Sequence, residues 1–299
     1  MTTSSPSRIA IVIASTGRPE ELGRWVDHVL RQTVQPAILV YAVVKPSDIP
    51  DWASTPSGVN VVFCAPGLPI QRNAALDTII GSCDIVAFFD DDYVPSRYCL
   101  EGIDRFFRTN PDVVAANGVL LADGINTAGI SYEEAAELVT KNDSSPQREG
   151  TILHDLKGLY GCNMVFRAEA IGQERFDEQL PLYAWQEDID FTARVGRARR
   201  MVKTDAFQGV HQGVKGARLP GTRLGYSQVA NPIYLARKGT IPAREAAKLI
   251  LKNILMNHAR SLAPESWIDR VGRCKGNWLA ISDVLSGRDH PKNILTLSR

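Results

Sequence analysis

The sequence predicts an α/β chain with a mixed, mostly parallel sheet flanked by helices and a helical C-terminal extension. Three observations predict it. From Ile9 to Leu121, short apolar runs alternate with stretches whose apolar residues recur at helical spacing. Several of those runs are apolar on both faces, as buried parallel strands are. From Gly221 onward the pattern is helical only.

The elements follow in order. Ile9–Ala14 reads as a buried strand, and Pro19 opens a helix through Arg31 with Leu22, Trp25, Val26, Val29 and Leu30 on one stripe. Ala37–Val44 and Val59–Cys64 are the next strands. A helix over 69–80 ends at Gly81, and Asp84–Phe89 is a fourth strand. A helix over 96–107 and a strand over 113–121 complete the alternation. The segment 123–150 is polar, with one short helical stretch near 132–139, and reads as a loop or lid. Beyond it, Gly161–Arg167 reads as a strand, Trp185–Arg200 as a helix and Met201–Ala206 as a strand. Helices over 243–262 and 265–285 follow, with Pro242 and Pro264 marking their starts.

Composition excludes several classes. The 299 residues suit one large domain, or a domain with an appended piece. A hydrophobic share of 44% with 22% charged residues is that of a globular protein with a sizeable core, not of a disordered or collagenous chain. Five scattered cysteines without a C-x-x-C pair fit a reduced compartment and argue against a disulfide framework or a structural zinc. The first residues carry no apolar signal region, and no run is long enough to span a membrane, so a cytosolic protein is expected. Net charge is +1, yet fourteen Lys or Arg against two acids fall between Arg194 and Arg260. That asymmetry suits an anionic ligand or surface, or simply solvated helix faces. No zinc finger and no aromatic RNA-binding motif is present, so nucleic acid is not an expected partner.

Candidate chemistry sits at three places. Asp90-Asp91-Asp92 follows directly on the strand ending at Phe89, where open α/β sheets bind ligands. Extended geometry places Asp90 and Asp92 on one side and Asp91 on the other. Adjacent carboxylates repel unless a cation offsets them, and Mg²⁺ or Mn²⁺ suits such oxygens; a solvated acidic turn is the bland alternative. Trp185-Gln186-Glu187-Asp188-Ile189-Asp190 opens a helix that later carries Arg194, Arg197, Arg199 and Arg200. Acids first and bases last complement the helix dipole, which is a sufficient structural reason. The same dipole favours an ionised carboxylate, as a general base requires. His211 lies in what reads as a flexible, Gly-rich, basic loop with Lys215, Arg218 and Arg223, either a surface histidine or a metal ligand. Neither the G-x-G-x-x-G nor the G-x-x-x-x-G-K-[ST] fingerprint occurs, which argues against nicotinamide and P-loop enzymes.

In this order the motifs resemble inverting glycosyltransferases of the GT-A fold, family 2, of the bacterial polysaccharide type, over about residues 9–239. Ser15-Thr16-Gly17-Arg18-Pro19 resembles the family's P-T-x-N-R segment, and Gln71-Arg72-Asn73 its A-R-N. Lys45-Pro46-Ser47-Asp48 stands where Asp-x-Ser meets the base. Phe89-Asp90-Asp91-Asp92 is similar to its D-x-D, Gly161 to Arg167 (with Asn163) to its acceptor-side strand, and Trp185-Gln186-Glu187-Asp188 to its W-x-E-D. Tyr226 to Lys238 resembles a Tyr…Arg-Asn…Arg-Lys segment, with Ala230 in place of the Arg before Asn231.

The resemblance implies a Rossmann-like nucleotide-diphospho-sugar transferase domain over 1–240, its donor half about 8–122 and its acceptor half about 123–240, with 241–299 as extension. It implies a hexosyltransferase moving a sugar, UDP-hexose by preference, to a hydroxyl of a saccharide or lipid-linked saccharide. Asp188 is then the catalytic base. Ser15, Thr16, Arg18, Asp48, Arg72, Asp90 and Asp91 bind the donor; Asn163, Trp185 and Glu187 bind the acceptor; Asp92, His211 and Asp90 hold Mn²⁺ or Mg²⁺. Three rivals share features. Asp90-x-Asp92-x-Val94 also fits a haloacid dehalogenase-like phosphatase. A sugar nucleotidylyltransferase shares the sheet type without its glycine-rich first loop, and a non-catalytic carbohydrate-binding protein is the other class. The basic, apolar segment 243–256 could lie on an anionic membrane at the inner face of the cell, or pack on its own domain or a second subunit. The oligomeric state is not readable from the sequence.

Overall fold

In a computed structural model, residues 5–50, 58–145, 149–215 and 220–297 are described. The chain divides into two compact units. The first comprises Met1–Pro66, Ile70–Arg175 and Val195–Gly216; the second comprises Gly67–Pro69, Phe176–Arg194 and Ala217–Arg299. The expected boundary near residue 240 falls inside the second unit.

The first half of the chain runs β1 (Ile9–Ala14), α1 (Pro19–Leu30), β2 (Ile38–Val43), β3 (Val59–Phe63), α2 (Leu68–Ile79), β4 (Ile85–Asp90), β5 (Tyr93–Pro95), α3 (Cys99–Thr109) and β6 (Val113–Asp123). It continues with α4 (Tyr132–Asp143), β7 (Ile152–Asp155), β8 (Asn163–Arg167), α5 (Ala168–Ile171), α6 (Glu187–Val195) and β9 (Arg200–His211), then α7 (Gly221–Lys238), α8 (Ala243–Ser261) and α9 (Arg270–Leu285).

All strands join one sheet in the order β3-β2-β1-β4-β8-β6-β9-β5, with β7 also on β9. β1 to β4 pair in parallel, and so do β6 and β9; β4–β8, β6–β8, β5–β9 and β7–β9 are antiparallel. The mixed sheet matches expectation, and parallel pairing is concentrated where the apolar runs are continuous. β1 and β4 are buried along nearly their whole lengths. One core cluster gathers Trp25, Phe89, Tyr93, Phe106, Phe107 and Phe207 with the β1, β2 and β4 aliphatics.

Some boundaries differ from the sequence reading. The helix expected from Trp185 to Arg200 is shorter, because the chain re-enters the sheet at Arg200. The last helix starts at Arg270 rather than near Pro264, capped by the Asp269 carboxylate, which accepts from Gly272 N–H. The polar stretch after β6 holds a longer helix than expected, with Ser131 as its N-cap. β5 and β7 have no sequence counterpart; at three and four residues they are too short for a period to show.

The helical unit is built on close backbone approach and a buried polar network. A Cβ on Gly276 would lie 2.0 Å from the Thr222 carbonyl oxygen, and one on Gly225 would lie 2.1 Å from that of Arg273, so α7 and α9 touch along glycines. Asn257 on α8 donates to Gln228 on α7 (2.8 Å) and Asn277 on α9 (3.0 Å), and accepts from Arg270 (3.0 Å). Each polar group is thereby matched, as burial demands.

Candidate metal and donor site

The acidic triplet is held from beneath by aromatics. Trp25 stacks on Phe89 at 5.4 Å, Phe89 stacks on Tyr93 at 4.9 Å, and the Trp25 indole N–H donates to the Asp91 carbonyl (3.2 Å). Asp90 closes β4, and in the turn that follows the three carboxylates part company. Asp91 points back, accepting from Ser15 Oγ (2.6 Å) and Arg18 Nη1 (2.9 Å). Asp90 and Asp92 face His211, whose Nε2 lies 3.4 Å from Asp92 Oδ1 and 3.8 Å from Asp90 Oδ2.

His211 is not in a flexible loop, contrary to expectation. It is the last residue of β9, buried, and registered opposite Tyr93 of β5. The misleading signal was Gly209. A Cβ there would come within 2.4 Å of the Tyr93 ring, so this glycine serves a close approach inside a strand. The other neighbour of His211 is Asp123, directly opposite it in the β6–β9 register. Asp123 Oδ1 lies 2.8 Å from His211 Nδ1, and the Tyr160 hydroxyl lies 3.3 Å from the same atom. That carboxylate fixes the ring so that Nε2 faces Asp90 and Asp92.

The electrostatics show what this pocket demands. Burial pushes the His211 imidazole down, but hydrogen bonds to Asp123 and Asp92 outweigh it and raise it to about 10. Burial likewise pushes the Asp92 carboxyl up, and its bond to His211, with Arg18 nearby, brings it below the usual range. Burial pushes Asp91 up to about 6, even against Arg18. A positive charge is thus favoured at Nε2. One ligand atom each from Asp90, Asp92 and His211 lies within 4.8 Å of the others, a set that could hold a metal ion. One imidazole nitrogen with carboxylate oxygens, the nitrogen backed by a second carboxylate, fits a divalent ion such as Mn²⁺.

Basic groups and amide donors gather at the same sheet edge. Arg18 Nη1 also lies 3.5 Å from Asp92, and Arg18 Nη2 donates to the Val214 carbonyl (3.1 Å). Val214 N–H donates to Asp92 Oδ2 (2.7 Å), tying the chain after β9 to the triplet. Arg72, almost fully buried, donates to Asp90 Oδ1 and the Gly161 carbonyl, both at 3.2 Å. Thr16 is exposed at the turn and reaches Gln71 Oε1 at 3.4 Å. Asp48 is fully buried and accepts from the N–H groups of Gly17 (2.9 Å), Val44 (3.1 Å) and Lys45 (3.0 Å), so its carboxylate ties the turns after β1 and β2.

Asn163 is fully buried; its side chain accepts from Asn117 (2.9 Å) and donates to the Gly118 carbonyl (3.2 Å), joining β8 to β6. Of the loop bases, Lys215 donates to the carbonyls of Gly124 (2.8 Å) and Ile125 (3.0 Å), Arg223 donates to that of Leu297 (2.9 Å), and Arg218 lies outside the described residues.

Trp185, Glu187 and Asp188 belong to the second unit. The chain reaches them through Leu182, Ala184 and Gln186, with φ of 60°, 51° and 75°. Three non-glycine residues in the left-handed region cost on the order of 1–3 kcal/mol each. Burial of Leu180 and Ala184, and a bond from Asn231 Nδ2 to the Trp185 carbonyl (2.8 Å), hold the run in place. Asp188 is half-buried and accepts from Ile189 N–H (2.8 Å); Glu187 is buried. Asp190, not singled out from the sequence, is fully buried and pairs with Arg194 (3.1 Å) and Lys238 (2.8 Å).

The structure thus brings Ser15, Thr16, Arg18, Asp48, Arg72, Asp90, Asp91, Asp92 and His211 to one edge of the first unit. Asp123 and Tyr160 were missed; an acid ending a mostly apolar strand was the available hint.

No family model matches the chain, and no curated protein matches it either. Solved structures do. The mannosyltransferase PcManGT from Pyrobaculum calidifontis, in complex with GDP-Man and Mn²⁺, superposes with a TM-score of 0.52 at 14% identity, over 95% of this chain and 81% of that one. The chain has the GT-A fold. Glucosyl-3-phosphoglycerate synthase from Mycobacterium tuberculosis, in complex with Mn²⁺, UDP and glucosyl-3-phosphoglycerate, has a TM-score of 0.47 at 17% identity, over 78% of this chain and 80% of that one. TarS from S. aureus also has a TM-score of 0.47, at 12% identity, over 86% of this chain and 44% of that one.

Proposed function

We propose that this protein is an inverting, metal-dependent glycosyltransferase of family 2 type, moving a hexose from a nucleotide diphosphate donor to a hydroxyl of a saccharide or lipid-linked saccharide. The observation that carries the reading is the convergence of Asp90, Asp92 and a carboxylate-backed His211 at the strand ends of a GT-A sheet, with Arg18 and Arg72 beside them. Asp90, Asp92 and His211 would hold Mn²⁺ or Mg²⁺, which when bound supplies charge neutralisation for a departing diphosphate. Ser15, Thr16 and Arg18, with the turn that Asp48 ties, form the donor cradle. Arg72 adds fixed positive charge at Asp90, and Asp91 anchors Arg18 and Ser15 rather than meeting the metal.

Asp188 takes the proton from the acceptor hydroxyl, as the W-x-E-D resemblance implies, with Trp185 and Glu187 on the acceptor side; Asn163, fully buried between β8 and β6, supports the acceptor-side strand rather than touching the acceptor. UDP-hexose is the donor chosen by that same resemblance. The same resemblance implies inversion, which is a single displacement at the anomeric carbon. The test is nucleotide release from a panel of sugar nucleotides with Mn²⁺ or with chelator, followed by the anomeric configuration of the product by NMR. Metal-dependent release from one donor with inverted product is expected. Retained configuration, or turnover unaffected by chelator, would overturn the reading.

A further inference from the structure

The α8–α9 hairpin presents an outward face with two properties that rarely coincide on a surface facing only water. Leu251, Leu255 and Leu262 recur at i, i+4 and i+11 and share one side of α8 and its continuation. They are 58%, 60% and 90% exposed. Trp278 on α9 is 58% exposed and donates its indole N–H to His258 Nε2 on α8 (3.0 Å), which sets its ring beside that row. The opposite side of α8 is spent inside the unit, where Ala246 and Asn257 are buried.

The same exposed side carries Lys248 and Lys252, and Arg260 and Lys275 are exposed as well. Within α8 four bases stand against one acid, Glu245, which is paired with Lys248 (3.3 Å) and Arg244 (3.4 Å). Apolar side chains interleaved with long cationic ones, and a tryptophan whose polar edge is already bonded, are the makings of an interfacial helix. A protein partner surface would depend on an unknown complementary shape; an anionic bilayer supplies both an apolar layer and negative charge at once.

We infer that the exposed face of α8 and α9 binds the surface of an anionic lipid bilayer, lying on it rather than crossing it. No described helix is long and apolar enough to cross a membrane. The inference rests on this face alone and stands apart from the proposed chemistry.

The experiment is flotation of the full chain with vesicles of phosphatidylcholine alone or mixed with phosphatidylglycerol, at low and high salt. Binding to the anionic vesicles only, weakened by salt, is expected. The double variant Lys248→Gln, Lys252→Gln loses roughly thirtyfold in partitioning, at about a fivefold loss per charge. A blue shift of tryptophan emission on anionic vesicles disappears in Trp278→Phe. Matched thermal melts confirm that each variant folds. No binding at low salt, or equal binding to neutral vesicles, overturns the inference. So does a dimer in solution that dissociates in Leu251→Ser, Leu255→Ser while vesicles remain unbound, which would assign the face to a second copy of the chain.

Discussion

The two acidic clusters of this protein are delivered in opposite ways. Asp90 ends a regular, buried strand, and the turn Asp91-Asp92 that follows parts the carboxylates between His211 and Arg18. Glu187, Asp188 and Asp190 open a helix entered through three left-handed residues. There the helical rotation separates the acids: Asp190 is sealed into ion pairs with Arg194 and Lys238, whereas Asp188 keeps partial exposure. The strand cluster converges on one point and suits a cation. The helix cluster diverges and leaves a single acid able to meet another molecule.

The sharpest way to break the comparison is to remove the acid that the helix cluster leaves partly exposed and the acid that backs His211 beside the strand cluster. Asp188→Asn keeps shape and removes the proposed base; turnover should fall about 10²–10⁴-fold with donor affinity nearly unchanged, measured by steady-state kinetics and calorimetry. Equal activity would return Asp188 to the helix-dipole explanation. Beside the strand cluster, Asp123→Asn should weaken Mn²⁺ binding about 10–100-fold although Asp123 is outside the candidate ligand set, because it removes the negative charge that backs His211 Nδ1. Titration of Mn²⁺ alone checks this, and an unchanged affinity would remove Asp123 as a positioning residue.

A smaller effect is expected where the helix cluster is supported. Asn231→Ala strips the Trp185 carbonyl of a buried donor and should cost about 1–3 kcal/mol, read by denaturant unfolding. No change would mean that the strained run is held by packing alone.

The pH dependence separates two histidines. His28 is pushed down to about 4 by burial, then by Arg31 and Arg24, so its folded value lies below its ordinary 6.5. Its stability contribution is complete above pH 6.5 and is lost as the pH falls toward 4. His211 is raised to about 10, so in metal-free protein its contribution is complete below pH 6.5 and is lost as the pH rises through 10. Melting temperatures across that range should fall at both ends, and His211→Gln should flatten only the alkaline limb.

Much of this was legible in the sequence, for identifiable reasons. β1 and β4 read clearly because strands buried on both faces are continuous apolar runs. The division of the triplet matched the expected alternation, although only Asp90 lies in the strand. What stayed hidden depends on pairings distant along the chain. Asp123 and His211 are brought together only by the β6–β9 register, across 88 positions. β5 is three residues long, and Gly209, which serves the Tyr93 ring, imitates a loop signal. Asp190 could not be told from Asp188 by helix position, since both fit the helix dipole; that Asp190 is spent on Arg194 and Lys238 shows only in the structure.

The most direct test of a metal-dependent donor site at the strand cluster is the melting temperature against a panel of nucleoside diphosphates, with and without Mn²⁺, for the natural protein and Asp92→Ala. A ligand that binds only the folded state raises the melting temperature by mass action. The account predicts a rise with one diphosphate that requires Mn²⁺ and vanishes in Asp92→Ala. A rise independent of Mn²⁺, or one retained in the variant, would contradict it, and no rise with any diphosphate would return the phosphatase and carbohydrate-binding readings.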